Sequence, residues 1–173
     1  MKKGASLSEC GTWRWLLDRR WDVNRPILVV CMLNPSTADA QKNDPTVLAL
    51  IHFAKLWGYG GITIVNLYAF RSPSPAVMKA SPQRHSPRNT KLLEHFVPMQ
   101  ALHAGCILVA WGNDGDFEGW ASWFTNRMTV AHGLDLICLG KTSSGAPKHP
   151  MARGKHRIPR DQQPILWRKG SCG

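Results

Sequence analysis

The chain has no CxxC pair, and its five cysteines, Cys10, Cys31, Cys106, Cys138 and Cys172, stand singly. That spacing leaves little support for a zinc ribbon or a cysteine-ligated iron–sulfur cluster. Cys31, Cys106 and Cys138 lie inside apolar runs and read as small core residues. No apolar segment approaches the ~20 residues that a membrane helix needs, so no membrane partner is expected. The N-terminal "MKKGASLSECG" has two lysines but no apolar stretch behind them. A secretory signal is therefore not expected, and a cytoplasmic location is. Acids are scarce, 11 Asp+Glu against 22 Lys+Arg. Asp39 and Asp44 have no companions at a metal-binding spacing, and no carboxylate set suits two metals. No metal and no cofactor are expected. A GxSxG motif is absent, and Ser36 has no evident base to activate it as a nucleophile. "GKTSSG" carries the last letters of a phosphate loop without its first glycine.

What is present is cationic and globular. Hydrophobic residues make up 43% of the 173, enough for one domain with a sizeable core over 1–173. The net charge of +11 is concentrated late in the chain, where residues 141–173 form a basic C-terminal segment. From Lys141 to Lys169 there are eight basic residues and one acid, Asp161. Such a segment attracts phosphates through counterion release, although a solvated basic tail is the plainer reading. With its two histidines, glycines and prolines, the segment is read as a nucleic-acid face. The expected partner is DNA, double- or single-stranded, and the chain is expected to be a monomer.

Four strand-like runs stand out: 26–33, 61–70, 105–112 and 134–140. They are nearly continuous in apolar residues, as strands covered on both faces are. Helical segments lie between them. Residues 44–58 start with Asp44 as N-cap and Pro45 at the first helical position, and stop at Gly58. Residues 86–96 and 99–104 form a second pair, with Pro98 breaking the helix between them. A third helix fills 116–133, and the amphipathic 12–21 precedes the first strand. The alternation predicts a three-layer α/β/α sandwich around a four-stranded, mainly parallel sheet.

In such sheets, ligands bind beyond the carboxyl ends of the strands. The polar residues fall there: Asn34 after the first strand, Asn66 within the second, Trp111-Gly112-Asn113 at the third, and Lys141 onward after the fourth. Singly, each has a plain reading. Asn34 can cap a turn, and His149 can be an ordinary surface histidine. Asn66, an amide in an apolar strand, is either a structural bridge or aimed at a ligand. Trp57, Tyr59 and Phe70 read as packing, and Trp120, Trp123 and Phe124 as the apolar side of a helix.

Read together, "MLNPSTADA", "DPTVLALIHFAKLWGYGGITIVNLYAF", "ILVAWGNDG" and "GAPKHP" resemble the DUF1643 family over roughly residues 26 to 151. That family name implies no activity. More distantly, the motif order is similar to that of the uracil-DNA glycosylase superfamily. There a first-strand loop of the GINPG or GQDP type precedes a "TNLxxRPTP" strand, an "LWG" strand end and an "HPSPLSxxRG" loop. Here "MLNPS", "IVNLYAFRSPSP", "LVAWG" and "KHPMARG" stand in their places. The resemblance implies that fold and a metal-independent DNA glycosylase. Asn34 would orient the attacking water and His149 would donate to the departing base. Asn66, with Ser36 and Trp111, would hold the flipped base, and Lys141, Lys148, Arg153, Lys155 and Arg157 would hold phosphates. The departures matter. The aspartate of many uracil-excising members is absent, Ser36 replaces a glycine, and no aromatic residue follows the first loop to block a pyrimidine's 5-position. These imply a roomier pocket for a modified pyrimidine, as in phage DNA met during antiviral defence. The alternatives are a non-catalytic nucleic-acid-binding protein and an N-glycosidase for nucleosides or nucleotides.

Overall fold

The computed structural model describes residues 1–171. Cys172 lies outside the described residues. Seven strands form one mixed sheet: β1 (Lys2–Leu7), β2 (Arg14–Arg20), β3 (Ile27–Met32), β4 (Gly61–Asn66), β5 (Cys106–Val109), β6 (Asp135–Cys138) and β7 (Ile165–Arg168). Their spatial order is β1-β2-β4-β3-β5-β6-β7. The four runs read as strands form the parallel centre, β4-β3-β5-β6. The four-stranded sheet is nevertheless a correction: antiparallel β1 and β2 extend one edge, and β7 extends the other.

The continuous apolar runs follow from burial on both faces. Val29 and Cys31 point with Val65, Ile107 and Val109 into one core layer. Leu28, Val30 and Met32 point with Ile62 and Ile64 into the other. Helix α1 (Pro45–Leu56) closes the second layer through Val47, Leu50, Ile51, Phe53 and Ala54. Its ends are as read from sequence: the Asp44 side chain accepts the Val47 N–H at 2.9 Å, and Gly58 takes φ +83° beyond the last turn. Burying each such aliphatic side chain stabilises the fold by about 1.5–3 kcal/mol.

The first layer is covered by two interrupted helices, beyond the short α2 (Pro75–Ala80). α3 (Pro87–Lys91) passes through a π-helical turn, Leu92–Phe96, into α4 (Val97–Ala101). Pro98 therefore does not break the helix. Its ring and missing N–H are absorbed by the widened turn, in which the Val97 N–H bonds to Leu92 O. α5 (Trp120–Asn126) likewise runs into a π turn, Arg127–Ala131.

The stretch 12–21 is a second correction. It forms β2 rather than a helix, pairing with β1 and β4. Leu17 and Arg19, two apart, are both closed from solvent, a period of two that the apolar content had masked. Cys31 and Cys138 are buried as expected, whereas Cys106 is only partly so, its thiol 3.4 Å from the Tyr59 hydroxyl. The basic segment 141–171 is no loose tail. It contains a Lys141–Pro147 bridge, a short 3-10 turn at Gly154–His156, and β7.

Candidate functional site

Strand order reverses between β3 and β5, and their carboxyl ends open where an α/β sheet most readily holds a ligand. Asn34 leaves β3 at that point. Its Nδ2 donates to Ser72 O at 2.8 Å, Pro35 O at 3.2 Å and Phe70 O at 3.5 Å. The amide nitrogen thus staples the β3 loop to the chain leaving β4, and the orientation of the side chain is set. Among the described residues, the hydrogen bonds of this side chain are all made by Nδ2, and none by Oδ1. Ser36 follows, half-buried, its carbonyl accepting from Arg71 Nε at 3.4 Å.

Asn66 is the last residue of β4, beside Met32 of β3. It is 1% exposed, and neither Oδ1 nor Nδ2 has a partner. An unmade buried amide of this kind costs roughly 1–3 kcal/mol. Asn89 lies close by: its Nδ2 donates to the carbonyls of Asn66 and Leu67, each at 3.0 Å, while its own Oδ1 is also unpartnered.

Two further residues were not legible from sequence. Arg14, on β2, is 3% exposed and donates from Nη1 to Ala38 O at 2.9 Å, but its buried Nε has no partner. Burial pushes its guanidinium down to about 10 against the pull of Asp44. Asp44, beyond capping α1, acts electrostatically on both Arg14 and His149. Misreading β2 as a helix hid Arg14, and the evident capping role of Asp44 hid its second one.

His149 is half-buried, and its Nδ1 accepts the Met151 N–H at 3.1 Å. In a neutral ring that bond assigns the proton to Nε2. Burial lowers the imidazole below its ordinary value, with Asp44 pulling the other way. His149 is thus held as a neutral Nε2–H donor. Arg14 ties β2 to the 34–44 loop at Ala38, and Asp44 at the end of that loop caps α1. Among the described residues, no hydrogen bond joins Asn34 to His149.

The other residues singled out from sequence are spread more widely. Arg153 and Arg157 line a cleft of about 570 Å³ between α1 and residues 150–160, whose wall begins at Pro45 and Pro150, next to Asp44 and His149. Lys155 is exposed in the neighbouring turn. Lys141 is exposed, and Lys148 lays its side chain against Gly140 and donates its backbone N–H to Gly140 O at 2.8 Å. Trp111 is in the opposite layer: 4% exposed, it packs edge-to-face on Phe124 and Trp167 and lines a separate cleft of about 460 Å³. A third cleft, of about 410 Å³, lies on β2 and β4. None of the three is lined by Asn34, Asn66 or His149. Among the described residues, no three His, Cys, Asp or Glu side chains come together as a metal site would require. No helix among them is long and apolar enough to cross a membrane.

No curated protein and no solved structure matches the chain. A family model does, over residues 14–151, from the start of β2 to the residue two beyond His149. With that span matched, the chain belongs to the family described as protein of unknown function, DUF1643.

Proposed function

We propose that the protein is a DNA glycosylase that hydrolyses the N-glycosidic bond of a flipped-out, modified pyrimidine. The observation that carries this reading is Asn34: its amide nitrogen is bound to three carbonyls while its oxygen has no hydrogen bond among the described residues. An acceptor held in one orientation is what positioning a water against an electrophilic sugar carbon requires. Bond cleavage also builds negative charge on the departing base. His149 suits that need, since a neutral Nε2–H stabilises the anion by hydrogen bonding with little reorganisation. Asn66 supplies an unpartnered amide able to donate and accept at a base edge, at a standing cost to stability. Admitting a base to so closed a side chain requires the surrounding loops to open. Base extrusion itself costs a few kcal/mol, which phosphate contacts from the basic segment would offset.

The test uses ordinary, uracil-containing, hydroxymethylated and glucosylated phage DNA. Wild-type protein is expected to leave alkali-labile abasic sites in modified DNA, and Asn34→Ala to leave none. Abasic sites in none of the four substrates would remove the proposal.

A second reading is a non-catalytic nucleic-acid-binding protein. What favours it is that none of the three clefts described above is lined by Asn34 or Asn66, and that the Asn34 staple alone explains that residue. Under it, DNA binding is present with no base release to lose.

A further inference from the structure

The cleft between α1 and the C-terminal segment holds Arg153 and Arg157, already read as phosphate contacts, together with Arg160 and an apolar floor that neither reading assigns. Its floor is apolar: Phe53 and Ile158 are buried beneath it, while Leu48 and Met151 stand 55% and 43% exposed at its surface. Its rim is cationic, with Arg153, Arg157 and Arg160 and no acid among the lining residues. Among the described residues, none of these three guanidinium groups meets a carboxylate within ion-pair distance. The cleft is also preformed. His52 on α1 bonds through Nε2 to Arg160 O at 2.7 Å, and Trp57 Nε1 donates to Gln162 O at 2.9 Å. These two bonds strap residues 160–162 across the outside of α1.

We propose that this cleft seats one unpaired nucleotide of a single-stranded nucleic acid. Its phosphates lie on Arg153, Arg157 and Arg160, and its base covers Leu48 and Met151. This rests on the nucleic-acid reading above and specifies the form of the strand. Unpaired arginines demand an anion, and their forked donors match phosphate oxygens. Exposed apolar side chains demand a flat apolar body as well, which a duplex keeps inside its own stack. An unpaired base offers that face, as in grooves that combine backbone charge with base contacts. At about 570 Å³, the space suits one nucleotide rather than a helix.

The test is fluorescence anisotropy with the full chain at several salt concentrations. The probes are a labelled ten-nucleotide oligo-dT, the same length of abasic spacer phosphate, a duplex of matched length and a poly-glutamate peptide. Oligo-dT is expected to bind about threefold more tightly than spacer or duplex, or better, from burial of Leu48 and Met151 under the base. Arg157→Ala/Arg160→Ala is expected to weaken oligo-dT on the order of tenfold and reduce the log–log salt slope by about 1.4. Leu48→Asp/Met151→Asp is expected to erase the difference between oligo-dT and spacer. Equal affinity for duplex or spacer, or binding of poly-glutamate as tight as oligo-dT, overturns the proposal. Because the readout is binding, absence of base release leaves it standing, and its own failure leaves base release untouched.

Discussion

Arginine plays opposite parts at the two ends of this chain. Arg19, on β2, is 1% exposed and makes five hydrogen bonds: to Asn43 Oδ1, and to the carbonyls of Gly4, Asp18, Asp39 and Lys42. It ties β1 and β2 to the 39–43 loop that leads into α1. Arg153, Arg157 and Arg160 line an open cleft and, among the described residues, meet no carboxylate. Charge counts alone weigh both groups equally. The difference is in the donors: a guanidinium whose donors are all used holds the fold, and one with free donors is available to a ligand.

The largest effect that would sharpen this contrast is on Arg19. Arg19→Ala leaves several carbonyls without a partner and is expected to cost on the order of 3 kcal/mol. Urea denaturation would show a lower midpoint at unchanged slope. An unchanged midpoint would erase the distinction between the two groups.

Next is Asn66, whose buried amide has no partner and, under the proposed function, sets base recognition against stability. Asn66→Leu replaces it with an apolar group of similar size and is expected to raise stability by about 1–2 kcal/mol while abolishing base release. A loss of stability instead would mean that the amide is satisfied in solution, as a structural bridge.

His149 contributes a pH signature. Its folded value lies below the unfolded value of about 6.5, so the unfolded chain binds the proton more readily. Its contribution is whole above pH 6.5 and is lost as pH falls through the folded value. His149→Gln is expected to flatten the stability–pH curve on that acid side, measured by denaturation at pH 4.5 to 7.5. Curves of identical shape would show that burial does not shift the ring.

The smallest effect belongs to the rim. Arg153→Ala and Arg157→Ala are each expected to leave stability within about 0.5 kcal/mol, because neither meets a carboxylate. A drop like that of Arg19→Ala would make the rim structural and blur the comparison.

Much of the framework was legible in the residues. Continuous apolar runs marked β3 to β6, and Asp44, Pro45 and Gly58 marked both ends of α1. What misled were places where two periods fit one stretch. "TWRWLLDRRW" satisfies a helical stripe, but the open edge of β4 needed a partner, and the pairing decided for a strand. Pro98 misled for a different reason: a break is the usual consequence, yet packing of Val97 and Ala101 into the core retained the helix through a π turn. In the candidate site, Asn34, Asn66 and His149 stood out by chemistry. Trp111 stood out for the same reason and lies in the other layer, because direction across a sheet depends on strand register.

Sequence alone determined the parallel α/β centre, the start of α1 and the cationic C-terminal segment, since periodicity, capping and charge are local properties. Only the tertiary structure decided that the sheet has seven strands, that Asp44 acts on both Arg14 and His149, and that three arginines gather over an apolar floor. Those outcomes depend on which edges pair and which donors find carbonyls, and contacts between distant residues are not written in any one stretch of chain.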